Sequence, residues 1–142
     1  MIICGYQGVG KSTYCRNNPE TTVDLDSSNF KKVEGWEDSY INTALKYVNK
    51  KVFISAHPSV INKLHERGVK FIILAPKMNE NAWRSRLEFR YFKNPIEANM
   101  KAIYDFYKNY DSDMKFYYNC EKKGITVKWV TASIVTDIDD LI

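Results

Sequence analysis

Long apolar runs are missing from this sequence: nothing in it approaches the roughly 20 consecutive apolar residues that span a bilayer. Paired cysteines are missing too. Cys4, Cys15 and Cys120 form no CxxC motif, and an odd set without a disulfide framework fits a reducing compartment. The opening Met1-Ile2-Ile3-Cys4 is too short for a signal peptide and carries no basic stretch, so the expected location is cytoplasmic. There is no dense basic run. The formal net charge is +4, a mildly basic balance that suits a protein handling polyanions. The scatter of Lys and Arg favours small phosphate compounds over a nucleic-acid surface. No repeat, linker or low-complexity segment divides the chain. Its 142 residues therefore read as one domain, 1–142, with room for one core.

What is present is an ordinary globular composition, 44% hydrophobic and 27% charged. Ten tyrosines point to a tyrosine-rich groove or a core finished with hydroxyl-tipped rings. Short apolar runs alternate with longer periodic segments, the pattern of an α/β chain with a mainly parallel sheet. Strands are expected at Ile2–Cys4, Thr21–Leu25, Lys51–Ser55, Val69–Ala75 and Ile125–Val130. A short helix is expected over Lys11–Arg16, stopped by Asn17-Asn18-Pro19. A second, capped by Asp38 or Ser39, should reach about Asn49 and bury Ile41, Leu45 and Val48. Pro58 starts a third, which buries Val60, Ile61 and Leu64 and ends at Gly68. Asn79 or Asn81 opens a fourth, reaching about Tyr91 and broken by Asn94-Pro95. The longest pattern follows, with Ile96, Met100, Ile103, Tyr107, Tyr110, Met114 and Tyr117 three or four apart. That spacing reads as a helix packed on the sheet rather than a base-stacking platform, with Asp111-Ser112 as a place to split it. Thr136, three residues before Asp139, can cap a last turn.

The strongest signal is Gly5-Tyr6-Gln7-Gly8-Val9-Gly10-Lys11-Ser12, which satisfies GxxxxGK[ST] at every fixed position. A chance match in a chain this long is on the order of 1%. The loop also follows a strand and opens a helix, as the motif requires. Gly8 and Gly10 can take backbone angles closed to other residues, and leave the phosphate oxygens unobstructed. The successive amides, with that of Val9 among them, form an anion nest, and the helix N-terminus adds its own free amides. Lys11 supplies a mobile charge for the β- and γ-phosphates, and Ser12 offers a hydroxyl to magnesium. Thr13 is either a contact to the α-phosphate or a helix-start residue. The implied cofactors are ATP and Mg2+.

Asp24 and Asp26 stand at the carboxyl end of the second strand, the edge where open α/β sheets bind ligands. Two apart on a strand, they share a face. They either converge on one magnesium or divide the work, one holding the ion and one accepting a hydroxyl proton. The alternative is that Asp26-Ser27-Ser28 is a turn or cap. The third strand ends in Ser55-Ala56-His57 without an acid, which leaves the metal's outer shell to Asp24 and Asp26. His57, at the same edge, either touches substrate or is a turn residue ahead of Pro58. In the fourth helix Arg86 and Arg90 share a face and Arg84 points elsewhere. Trp83, Leu87 and Phe89 are candidates to anchor it. Forked guanidinium groups stabilise the charge of a moving phosphoryl group, so these three arginines are catalytic candidates.

With these motifs in place, the sequence resembles the small P-loop kinases of the nucleoside monophosphate kinase and shikimate kinase superfamily. The acidic pair is similar to the DxD of shikimate kinases, and the Gly5-to-Asp26 spacing also resembles the kinase domain of phage-type polynucleotide kinases. The resemblance implies a three-layer P-loop NTPase fold with helices on both faces of a five-stranded parallel sheet in the order 2-3-1-4-5. It implies a lid at about 79–93 carrying the arginines, and an adenine site at Thr131-Ala132-Ser133. The glycine triplet that follows strand three in shikimate kinases is absent, which argues against shikimate itself. No arginine between Asp26 and Asn49 suits a nucleoside monophosphate; only Lys31, Lys32 and Lys46 are there. The expectation is an ATP-dependent phosphotransferase acting on a small-molecule acceptor of nucleoside or nucleotide type. The alternatives are a 5′-hydroxyl polynucleotide kinase and a non-catalytic nucleotide-binding module.

Overall fold

The computed structural model describes residues 1–77, 80–130 and 138–142. Five parallel strands form the sheet: β1 (Ile2–Gly5), β2 (Thr22–Asp24), β3 (Lys51–Ser55), β4 (Phe71–Pro76) and β5 (Thr126–Val130). Their order is β2-β3-β1-β4-β5, as expected. β1 lies in the middle, with Cys4 in register between Ile54 and Ile73. Consecutive residues along β1, β3 and β4 are buried, so both sheet faces are covered. The covering helices are α1 (Lys11–Asn17), α2 (Trp36–Leu45), α3 (Pro58–Glu66), α4 (Glu80–Lys93) and α5 (Glu97–Lys122). The core runs through Ile3, Phe53, Ile54, Ile73 and Leu74, all without solvent exposure.

Two helices depart from expectation. α2 opens three or four residues early, because Gly35 takes a left-handed φ of +73° and turns the chain into the helix. Glu37 and Asp38 then occupy the first turn, where the helix dipole favours them. The buried stripe becomes Tyr40, Ile41 and Ala44, while Leu45 and Val48 are exposed and the helix stops at Leu45. α5 is not split at Asp111-Ser112. Ser112 Oγ donates back to Asn109 O at 3.0 Å, and Phe106, Met114, Tyr117 and Cys120 hold the helix down on both sides of that point. Its predicted stripe is only half right: Met114 and Tyr117 are buried, but Ile96, Met100 and Tyr107 face outward. On α4, Trp83 and Leu87 are buried and Phe89 is not. The Asn79 helix start and the Thr136 cap fall outside the described residues. Among the described residues no helix is long and apolar enough to cross a membrane.

Candidate active site

β1 ends at Gly5, and Tyr6 N still donates to Leu74 O at 2.9 Å, so the loop leaves the sheet between its two central neighbours. The turn back is tight: Val9 N donates to Tyr6 O at 3.2 Å, and Gly8 and Gly10 have φ of +86° and +102°. Gly10 caps α1, whose first amides have no acceptor within the helix. The Lys11 stem runs across Gly5, where a Cβ would lie 2.7 Å from Lys11 Cδ. Lys11 Nζ donates to Gly5 O at 2.9 Å. Burial lowers the Lys11 pKa, the Asp24 carboxylate opposes that shift, and Arg90 adds to it.

Three-way bracing fixes the loop from behind. Gln7 Nε2 donates to Ala102 O of α5 at 3.0 Å, and Trp83 Nε1 of α4 donates to Gln7 O at 3.2 Å. A Cβ at Gly8 would lie 3.0 Å from Leu87 Cδ2. The arginine helix is therefore packed against the loop at its Trp83–Leu87 face. Arg86 stacks over the Trp83 ring at 5.1 Å. Desolvation lowers the pKa of both Arg86 and Arg90, and Arg90's charge depresses Arg86 further. Arg84 instead accepts Asn81 as its partner, donating to Asn81 Oδ1 at 3.0 Å.

The acidic pair divides. Asp24 is the last residue of β2, and its Oδ2 accepts Ser12 Oγ at 3.0 Å. Asp26 lies beyond the strand and accepts the Ser28 amide at 2.9 Å, the turn contact foreseen as its alternative. A hydroxyl beside a carboxylate offers the hard oxygen donors that magnesium takes, with phosphate and water completing its shell. Among the described residues no group of three or more His, Cys, Asp or Glu gathers as a metal cage. Val9 is buried in the loop, and Thr13 lies on the exposed side of α1, where Arg16 donates to its Oγ1 at 3.3 Å. Ala132 and Ser133 lie outside the described residues.

Beside Lys11 a cleft of about 720 Å³ opens at the carboxyl edge of the sheet. One wall carries Lys31, Trp36 and His57. Lys31 Nζ lies 2.9 Å from His57 Nε2 and 5.7 Å from the Trp36 ring. Burial, then the Lys31 charge, lowers the His57 pKa, so the ring is the neutral acceptor of the pair. The opposite wall is α5, with Asp105, Asn109 and Asp113. Burial and then the Asp105 charge raise the Asp113 pKa to about 6. Sequence reasoning missed this wall, although Asp105, Asn109 and Asp113 are spaced by four and share a helical face.

No protein-family model matches the sequence, and no curated protein matches it. Among solved structures, it is similar to a shikimate kinase from Bacteroides thetaiotaomicron, at 16% identity and a TM-score of 0.52. The match covers 99% of this chain and 89% of that one. At that identity the likeness speaks for the fold, and it agrees with a P-loop on the middle strand of a 2-3-1-4-5 sheet. The chain folds as the small P-loop kinases of the shikimate kinase type do.

Proposed function

We propose that this protein is a phosphotransferase that moves the γ-phosphate of Mg-ATP to a hydroxyl of a nucleoside- or nucleotide-type acceptor. The observation that carries the reading is the Ser12–Asp24 hydrogen bond at the mouth of the phosphate loop, with an open cleft on the far side of Lys11. Lys11 exchanges its bond to Gly5 O for phosphate oxygens, and the loop amides hold the rest of the triphosphate. Ser12 and Asp24 would hold magnesium, which would supply positive charge to the phosphate oxygens. Asp26 keeps one carboxylate oxygen on the Ser28 amide and uses the other to accept the proton of the acceptor hydroxyl. That oxygen forms the new bond to phosphorus as the bond to the β-phosphate oxygen breaks and ADP leaves. Arg86 and Arg90 lie on the loop side of α4 and stabilise the charge on the moving group. The three free cysteines suit a reducing compartment, and we place the activity in the cytoplasm.

The test is a pair of isosteric variants assayed with labelled ATP. Asp24→Asn should lower kcat by at least about a hundredfold and raise the magnesium concentration needed. Asp26→Asn should lower kcat about as much without changing the magnesium requirement. Full turnover in both variants sinks the assignment.

A further inference from the structure

The acceptor wall has an unfilled polar position. Tyr6 is only 4% exposed, lines the cleft, and its hydroxyl has no hydrogen-bond partner among the described residues. Its ring is held on two sides, edge-on to Trp83 at 6.1 Å and to Tyr117 at 6.2 Å. The neighbouring Gln7 amide donates to Ala102 O, and Tyr117, the other phenol of the wall, already donates to Ala56 O at 2.7 Å. Leaving a buried hydroxyl unpaired costs free energy, so such a group points to an absent ligand. Asp113 lines the same cleft, and after burial its carboxylate charge is the largest influence on the Tyr6 hydroxyl.

That pairing selects among ligand groups. A phosphate or carboxylate oxygen can accept from Tyr6 but has nothing to give an ionised Asp113. An ammonium can donate to Asp113 but cannot accept from Tyr6. An alcohol does both at once. The wider cleft agrees. Away from Lys11, the cleft lining among the described residues carries one cation, Lys31, shared with His57 and Trp36, against two carboxylates, Asp105 and Asp113. A dianion would face more negative than positive charge there.

We propose that the acceptor is an uncharged polyhydroxy compound, a nucleoside rather than a nucleoside monophosphate, with one sugar hydroxyl bridging Tyr6 and Asp113. The inference rests on the phosphotransferase reading for its chemistry, but the binding it requires does not. A second hydroxyl of the same sugar reaches toward Lys11 and takes the phosphate, while the base lies toward the Trp36 side.

Transfer from labelled ATP is measured at pH 8, where Asp113 is ionised, to each nucleoside and to its 5′-monophosphate. Calorimetry measures nucleoside binding to the same protein without ATP. The expected result is a kcat/KM at least tenfold higher for a nucleoside than for its own monophosphate. Tyr6→Phe should raise the acceptor KM five- to tenfold with little change in kcat, and its Tm should stay level or rise, because the variant removes an unpaired buried group. A structural role would instead lower the Tm and leave the KM alone, which overturns the proposal. A monophosphate that serves as well as its nucleoside also overturns it, while leaving the kinase reading intact. Nucleoside binding that weakens in Tyr6→Phe, with no transfer to any acceptor, supports the proposed site and overturns the kinase reading. Absence of both binding and transfer for every nucleoside overturns the proposal.

Discussion

Substituting Gly8 by alanine probes whether the arginine helix is built into the phosphate loop. Two costs follow from the geometry. A φ of +86° suits glycine, and an L-residue there loses about 1–2 kcal/mol. The new Cβ would also stand 3.0 Å from Leu87 Cδ2, at the flexible tip of a leucine that can yield a few tenths of an ångström. Overpacking of that kind sits at the low end of its usual range, about 1 kcal/mol. Gly8→Ala should therefore cost about 2–3 kcal/mol, or roughly 8–12 °C in Tm for a domain of this size. Gly10→Ala reports a backbone cost without a contact, since none of the described residues lies within 4 Å of its Cβ position. The decisive assay is a double-mutant cycle by urea denaturation. Leu87→Ala removes the obstructing tip, so the pair should be more stable than the sum of the singles by about 1 kcal/mol. A coupling below about 0.3 kcal/mol would refute the packing of α4 against the loop, and with it the placement of Arg86 and Arg90.

The two faces of α4 should differ in function. Arg86→Ala and Arg90→Ala should each lower kcat by about 10²–10³, whereas Arg84→Ala, engaged with Asn81, should change it by no more than about threefold in the labelled-ATP assay. Asp113 gives a pH signature. Its folded pKa of about 6 lies above the unfolded value, so the protein binds this proton more tightly when folded. Stability is then highest below the unfolded pKa and is lost as pH rises through about 6. Asp113→Asn, which cannot ionise, should be more stable than the parent by on the order of 1 kcal/mol at pH 8, after allowing for solvent screening of a half-exposed group. The gain should vanish at pH 4, and an equal gain at both pH values would show that the carboxylate charge is not its source.

The strands were legible as short apolar runs such as Val69–Ala75, whereas their order came from the resemblance to small P-loop kinases that the Gly5–Ser12 loop supports. The Ser12–Asp24 contact was legible in outline, since both residues come from sheet-edge positions. The separate posts of Asp24 and Asp26 were not. β2 ends at Asp24, so the rule that residues two apart share a face no longer applied at Asp26. The α2 boundary depended on Gly35, whose left-handed turn outweighed a better side-chain cap at Asp38 or Ser39. The α5 wall of the cleft was hidden by a stronger pattern in the same helix. Its Tyr and Met periodicity drew attention to one face, while Asp105, Asn109 and Asp113 marked another. Gln7 gave no signal at all, because the phosphate-loop pattern allows any residue at that place.

β1 carries the phosphate loop and lies at the centre of the sheet, between partners that begin at Lys51 and Phe71. Parallel pairing of this kind needs long crossovers, so the loop has nothing to hold it until some seventy residues of chain have closed on one another. If the loop binds nucleotide as proposed, fragments and half-folded intermediates should be blind to it. Phosphate binding should then come late in refolding, together with the full set of native contacts, and ligand added early should not template the process.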